Sequence, residues 1–198
     1  VELSRLPAVL QSSQAGAWLD YADVYPRGQH TVSGTIRVLR DVESPQLGNT
    51  RDLLVYLPPS YLESDRRYPV LYMHDGQNLF DPALAYIGVD WGMDEAVLRW
   101  MERTGSPGAI VVGIWNSPQR VQEYMPQRLL DAPGAELVRK LFAKRTGGSP
   151  CSDAYLRFLV QELKPYVDAH YRTQPDPKHT YLMGSSMGGL ISLYALCE

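Results

Sequence analysis

Cysteine is nearly missing from this chain. Two in 198 residues, Cys151 and Cys197, are too few and too far apart for a disulfide framework or a thiolate metal site. A single Cys151–Cys197 bridge is compatible with the count. Cys197 lies in an apolar stretch, where a buried free thiol is the expectation, so the redox compartment stays open between cytoplasmic and exported. No apolar run approaches the ~20 residues of a membrane span, and no signal segment is recognisable. Neither sign of charge dominates: 19 Lys and Arg against 22 Asp and Glu leave a net charge of −3, which makes no electrostatic case for nucleic acid or an anionic membrane as partner. Internal repeats, low-complexity tracts and metal, nucleotide or flavin motifs are absent, so no cofactor is expected. The first residue is Val1 rather than Met, from which an upstream segment, removed or omitted, is expected.

What is present is ordinary globular composition, 44% hydrophobic and 21% charged, in a length that suits one substantial core. Residues 1–30 read as irregular, with one helical turn at Leu6 to Leu10, and residues 31–198 as part of a single domain. Thr31 to Val42 alternates with β-branched residues and reads as a strand; Pro45 to Asn49 is a turn, and Arg51 to Leu57 is a second strand stopped by Pro58-Pro59. Joined by so short a turn, the two should pair antiparallel. Tyr68 to His74 and Ala109 to Trp115 are continuous apolar runs, as in strands covered on both faces. Between them Met93 to Arg103 has helical period, with Met93, Ala96, Val97, Trp100 and Met101 on one face and Gly105 closing it. The long connection Asn116 to Pro150 carries a helix near Ala135 to Lys144. Ser152 to Tyr171 is a helix burying Leu156, Leu159, Val160, Leu163 and Val167, interrupted by Pro165. A hairpin followed by strand–helix alternation predicts an α/β fold with a mostly parallel sheet and helices on both faces. Ligands of such sheets sit beyond the carboxyl ends of the strands, where the loops after Asp75, Asn116 and Met183 meet.

The last twenty residues, HTYLMGSSMGGLISLYALCE, carry the chemistry. Thr180 to Met183 is a short strand, Gly184-Ser185-Ser186-Met187-Gly188 a sharp turn, and Gly189 to Cys197 an apolar helix. A G-x-S-x-G pattern alone is weak, but strand–turn–helix is the context that makes it a nucleophile elbow with Ser186 at its tip. The helix would aim its first N–H groups at the place where negative charge develops. The plain alternative is a polar, Gly-rich turn with no chemistry.

Taken together, YPVLYMHDGQNLFD (68–81), AIVVGIW (109–115), RVQEYMP (120–126), ELKPYVDAHYRT (162–173) and YLMGSSMGGL (181–190) resemble the putative-esterase family of the α/β-hydrolase superfamily. That family includes enterochelin esterases, feruloyl esterases, esterase D and antigen 85 mycolyltransferases, and the resemblance runs from Thr31 to Glu198. It implies the three-layer α/β-hydrolase sandwich, with its N-terminal antiparallel hairpin, and a carboxylic ester hydrolase acting on a small-molecule or carbohydrate ester. Ser186 matches the nucleophile and the Met187 N–H the first oxyanion donor. The second donor is the N–H of the residue after Asp75-Gly76, which is Gln77, with Gly76 the alternative. The His74 and Asp75 side chains are read as turn-forming only. Asn116, Arg120, Glu123 and Tyr124 fall on the loop that would overhang a substrate cleft, although Arg120 and Glu123 are spaced equally well for a surface ion pair. Trp91 and Trp115 could flank a substrate; packing is the expected role of each.

The sequence departs from the family at the general base. A serine needs a base, and the base an orienting carboxylate; the order in this superfamily is Ser, then Asp or Glu, then His. No His or Asp follows Ser186, and Glu198 ends a helix running away from the elbow. His179 starts the strand that Ser186 ends, roughly 20 Å away at ~3.3 Å per residue. His170 is expected at the opposite sheet edge, His30 lies in the irregular segment, and the His74 loop is used for backbone donors. The family's sheet continues past the elbow strand with further parallel strands, without which Thr180–Met183 would be a bare apolar edge. The expectation is therefore the N-terminal two-thirds of a longer esterase, inactive alone, with the missing C-terminal part as its partner. Acyl transfer to a sugar acceptor and a non-catalytic carbohydrate- or ester-binding module stand as alternatives.

Overall fold

The computed structural model describes residues 18–26 and 30–198. Six strands form one sheet: β1 (Leu19–Asp20), β2 (Thr35–Ser44), β3 (Asn49–Leu57), β4 (Val70–His74), β5 (Ile110–Ile114) and β6 (Thr180–Met183), in the spatial order β1-β2-β3-β5-β4-β6. The sheet is mixed. β1, β2, β3 and β5 pair antiparallel, whereas β4 pairs parallel with both β5 and β6. The expected hairpin is present, with Ser44 opposite Asn49 and Thr35 opposite Leu57. Its turn closes on the Ser44 carbonyl, which accepts from the Gly48 N–H at 2.7 Å. The segment read as irregular holds β1 and a helical turn, α1 (Tyr21–Val24); the Leu6 to Leu10 turn lies outside the described residues.

Alternation along the strands builds two cores. Leu53, Val55 and Leu57 of β3, with Val70 and Tyr72 of β4, face one layer, and Leu54, Tyr56 and Met73 face the other. On the first side lie α7 (Ser152–Arg157), a wide π-helical stretch (Phe158–Leu163), α8 (Lys164–His170) and α9 (Met187–Cys197), burying Tyr155, Phe158, Leu163, Val167 and Ile191. On the other lies α3 (Met93–Thr104), with Val97 buried and Met93 and Met101 packed beside it. Gly105 at φ 67 caps α3 in the left-handed region, as its sequence position implied. This is the three-layer α/β sandwich.

Three side-chain expectations are corrected. Trp100 is 41% exposed: the inward stripe of α3 is centred on Val97 and Met101 and takes in Asp94, leaving Trp100 off its edge. Val160 is 65% exposed, because the π-helical stretch turns it toward the open side of β6. The stretch sits just before Pro165, which has no N–H to close the normal helical ladder. Cys197 is exposed on the outer face of α9, and both cysteines are free. The connection 116–150 holds three helices rather than one, α4 (Arg120–Tyr124), α5 (Gln127–Asp131) and α6 (Glu136–Thr146), since five-residue helices are too short to show a period; the remaining helix, α2 (Ser60–Glu63), is a single turn after β3.

Candidate active site

The carboxyl ends of β4, β5 and β6 carry the site. β6 ends at Met183 and α9 begins at Met187, so the chain reverses within three residues. Ser186, at the apex, has φ 56 and ψ −119, a combination that costs a residue with a Cβ on the order of 1–3 kcal/mol. Two glycines permit the reversal. A Cβ on Gly184 would come within 2.7 Å of the Gly188 carbonyl carbon. A Cβ on Gly188 would stand 3.2 Å from His74 Cβ and 3.5 Å from Asp75 Oδ2. The elbow therefore rests directly on the end of β4. Ser186 is exposed. Met187 is the first residue of α9, and first-turn N–H groups have no acceptor inside their own helix.

β4 ends in a second tight turn. Asp75 is left-handed at φ 59 and ψ 47, and Gly76–Asn78 make one 3-10 turn, with Gln77 half-buried in its middle. Gly76 lies against β5, where a Cβ would come 2.4 Å from the Gly113 carbonyl carbon. Contrary to the turn-forming reading, the Asp75 side chain makes no capping bond in its own turn. Arg120 grips it with two bonds, Nε to Oδ1 at 2.6 Å and Nη2 to Oδ2 at 2.7 Å, and Asn116 Nδ2 donates to Oδ1 at 2.7 Å. The Asn116 N–H donates to Gln77 Oε1 at 3.3 Å. These bonds knit the loop after β4 to the loop after β5. The bond from Asp75 raises the pKa of the Arg120 guanidinium further.

Of the four expected cleft residues, Asn116 and Arg120 are half-buried at this edge, whereas Glu123 and Tyr124 are fully buried. Glu123 does not pair with Arg120. It pairs with Arg51 of β3, Nη2 to Oε1 at 2.7 Å, and accepts from Ser117 Oγ and Asn49 Nδ2, each at 2.8 Å. The i, i+3 spacing of Arg120 and Glu123 suggested each other as partners; their real partners, 45 and 72 positions away, left no local signal. Tyr124 packs in the core against His74, with ring centroids 5.2 Å apart. Trp115 packs partly against the second core, while Trp91 is 36% exposed on the loop after β4.

None of the histidines is placed as a base for Ser186. His74 lies beneath the elbow but is fully buried, with Nδ1 2.8 Å from Tyr155 Oη, and burial lowers its pKa to about 4. His170 ends α8 with Nδ1 on the Tyr166 carbonyl. His179 precedes β6, at the end of that strand away from the elbow, and pairs with Asp176 at 2.7 Å. His30 is held by Asp81, which also accepts from the Tyr21 hydroxyl.

A strained serine at a strand–helix turn, set on the end of a parallel strand whose loop turns tightly beside it, is the arrangement of an α/β-hydrolase-type protein. Residues 44–198 match the family model described as "Putative esterase", and the chain belongs to that family. It is 27% identical over 151 residues to "Uncharacterized protein YbbA" of Bacillus subtilis (strain 168), a match covering 76% of this chain and 52% of that one. Among solved structures it resembles an IroE-like serine hydrolase from Shewanella oneidensis (TM-score 0.54, 24% identity, 81% of this chain and 46% of that one). Others are the ferric enterobactin esterase of Salmonella typhimurium (0.56, 22%, 83% and 33%) and a ferulic acid esterase of Anaeromyces mucronatus (0.54, 22%, 89% and 58%). At these identities the likeness is one of fold. The chain spans about half the length of the curated relative it matches.

Proposed function

We propose that the protein is a serine esterase, cleaving a carboxylic ester through an acyl-Ser186 intermediate. The observation that carries this reading is the backbone of Ser186, a non-glycine residue held at φ 56 and ψ −119 between two glycines whose absent side chains let β6, α9 and β4 meet. Such strain persists only where the surroundings impose it, and it lifts the Ser186 hydroxyl off the sheet edge to face a substrate carbonyl. Attack by Oγ converts that carbonyl to a tetrahedral oxyanion. The N–H groups of Met187 and Gln77 are the proposed donors, each worth about 3 kcal/mol by analogy with measured oxyanion donors. Asn116 and Arg120 border the substrate cleft. Collapse of the intermediate expels the alcohol, and water then hydrolyses the acyl enzyme.

Both steps need a base to accept and return a proton. With no histidine suitably placed among the described residues, the 198 residues provide nucleophile and donors without that base. Hydrolysis of p-nitrophenyl acetate by this chain should accordingly be weak and lost in Ser186→Ala. Turnover that Ser186→Ala leaves unchanged would remove the assignment.

A further inference from the structure

Across the sheet from α9, three carboxylates gather where the chain enters α3. Asp90, Asp94 and Glu95 each place an oxygen within 4.8 Å of the others. Gly92, left-handed at φ 58, folds the chain back so that Asp90 faces the first turn of the helix, and Asp90 Oδ2 accepts from the Gly92 N–H at 3.0 Å. Acidic residues in a first helical turn are common and by themselves indicate nothing. Burial is what sets this group apart. Asp94 is completely buried; its Oδ2 accepts from the Ser33 N–H at 2.6 Å, while its Oδ1 is shut off from solvent with no partner. Glu95 Oε2 is likewise enclosed and unpartnered. Among the described residues none of the three carboxylates forms an ion pair. Enclosed carboxylate oxygens without a donor are costly unless a cation or a shared proton meets them.

We propose that Asp90, Asp94 and Glu95 form a structural calcium site. Two oxygens bound to one Ca²⁺ at about 2.4 Å each can be at most about 4.8 Å apart, and the three oxygens here lie within that limit of one another. All three donors are hard carboxylate oxygens, with neither imidazole nor thiolate among them, which favours Ca²⁺ or Mg²⁺ over transition metals. Mg²⁺ gives up its water reluctantly and demands octahedral geometry, so two oxygens already shielded from water suit Ca²⁺ better. Asp90 and Glu95 are half-buried, leaving a side from which the ion enters and water completes its shell. The bound ion would staple three segments: the stretch at Ser33 held by Asp94, the loop after β4, and α3.

Trp91, next to Asp90 in the chain, makes the site observable, since it can sensitise Tb³⁺ luminescence. Addition of Ca²⁺ to EDTA-treated protein should raise the melting temperature, by about 5–10 °C at a hundredfold excess over Kd. Tb³⁺ emission excited through tryptophan should appear and be displaced by Ca²⁺. Asp94→Asn should abolish both effects, and Asp90→Asn, at the accessible side where folding is not at stake, should weaken both at least tenfold. The site is refuted if Ca²⁺ moves neither signal in the wild type, or if both variants respond as the wild type does. It is equally refuted if Asp94→Asn stabilises the EDTA-treated protein while Ca²⁺ has no effect on the wild type, for then a shared proton accounts for the pair.

Discussion

At the scale of single residues, the site depends on what is missing from its glycines and on where burial places its histidine. Gly76→Ala would drive a Cβ to 2.4 Å from the Gly113 carbonyl carbon, and Gly184→Ala one to 2.7 Å from that of Gly188. Both contacts are backbone and cannot rotate away, so each substitution should cost roughly 1–3 kcal/mol, read from urea midpoints at unchanged m-value. Gly48→Ala, with open space around its Cβ and φ 63, should cost only the left-handed penalty of about 1 kcal/mol. His74 gives a pH signature. Burial lowers its pKa from 6.5 to about 4, so as acid is added the unfolded chain takes up a proton before the folded one. Its stabilisation is complete above about pH 6.5 and is lost as pH falls toward 4, on the order of 3 kcal/mol in all. The stability difference between wild type and His74→Gln isolates the histidine; it should shrink between pH 6.5 and 4, and a difference flat across that window would show that His74 is not held neutral. The sharp turn at Ser186 was legible in the sequence because its glycines are local. The Asp75–Arg120 grip was not, since nothing within a few positions of either residue points to the other.

At the scale of elements, α4 and the loop before it are fixed by a buried ion pair. Arg51 and Glu123 are both fully enclosed, with Asn49 and Ser117 also bonded to the carboxylate. Breaking such a pair from one side strands the other charge. Glu123→Ala should therefore destabilise the fold by about 3–5 kcal/mol, whereas Arg51→Met with Glu123→Leu should cost much less than the two single changes summed. A double-mutant cycle in urea checks this, and additive costs would mean that the pair is not coupled. The strands were readable because β4 and β5 are unbroken apolar runs and the β2–β3 turn is marked by Pro45 and Gly48. Residue-level exposure on the helices was less so. Periodicity places a stripe but not its centre, which is how Asp94 came to be buried where Trp100 was expected. It also assumes a uniform helix, which the π-helical stretch ahead of Pro165 is not.

At the scale of the whole molecule, the sheet is closed unevenly. β6 has one partner, β4, among the described residues, and Tyr181 and Met183 are 52% and 48% exposed. A cleft of about 440 Å³ opens beside them, lined by Leu156, Val160, Leu182 and Ala195, and contains neither Ser186 nor Gln77. Leu193 and Leu196 continue the apolar surface along α9. An open apolar edge of this kind pairs with whatever strand it meets. The 198-residue chain should self-associate with rising concentration in sedimentation velocity, and Tyr181→Lys should reduce the association; a wild type that stays monomeric at high concentration would contradict this. The relation to a curated protein of about twice the matched length, the bare edge and the lack of a suitably placed histidine among the described residues all bear on the central proposal, that this chain carries a nucleophile and its oxyanion donors without a base. The most direct measurement is site mapping by mass spectrometry after prolonged exposure to a fluorophosphonate. The account predicts a slow adduct on Ser186 in preference to every other serine, slowed further by Met187→Pro, which deletes one donor N–H, and absent in Ser186→Ala. Labelling spread over the exposed serines, or undiminished in Ser186→Ala, would contradict it.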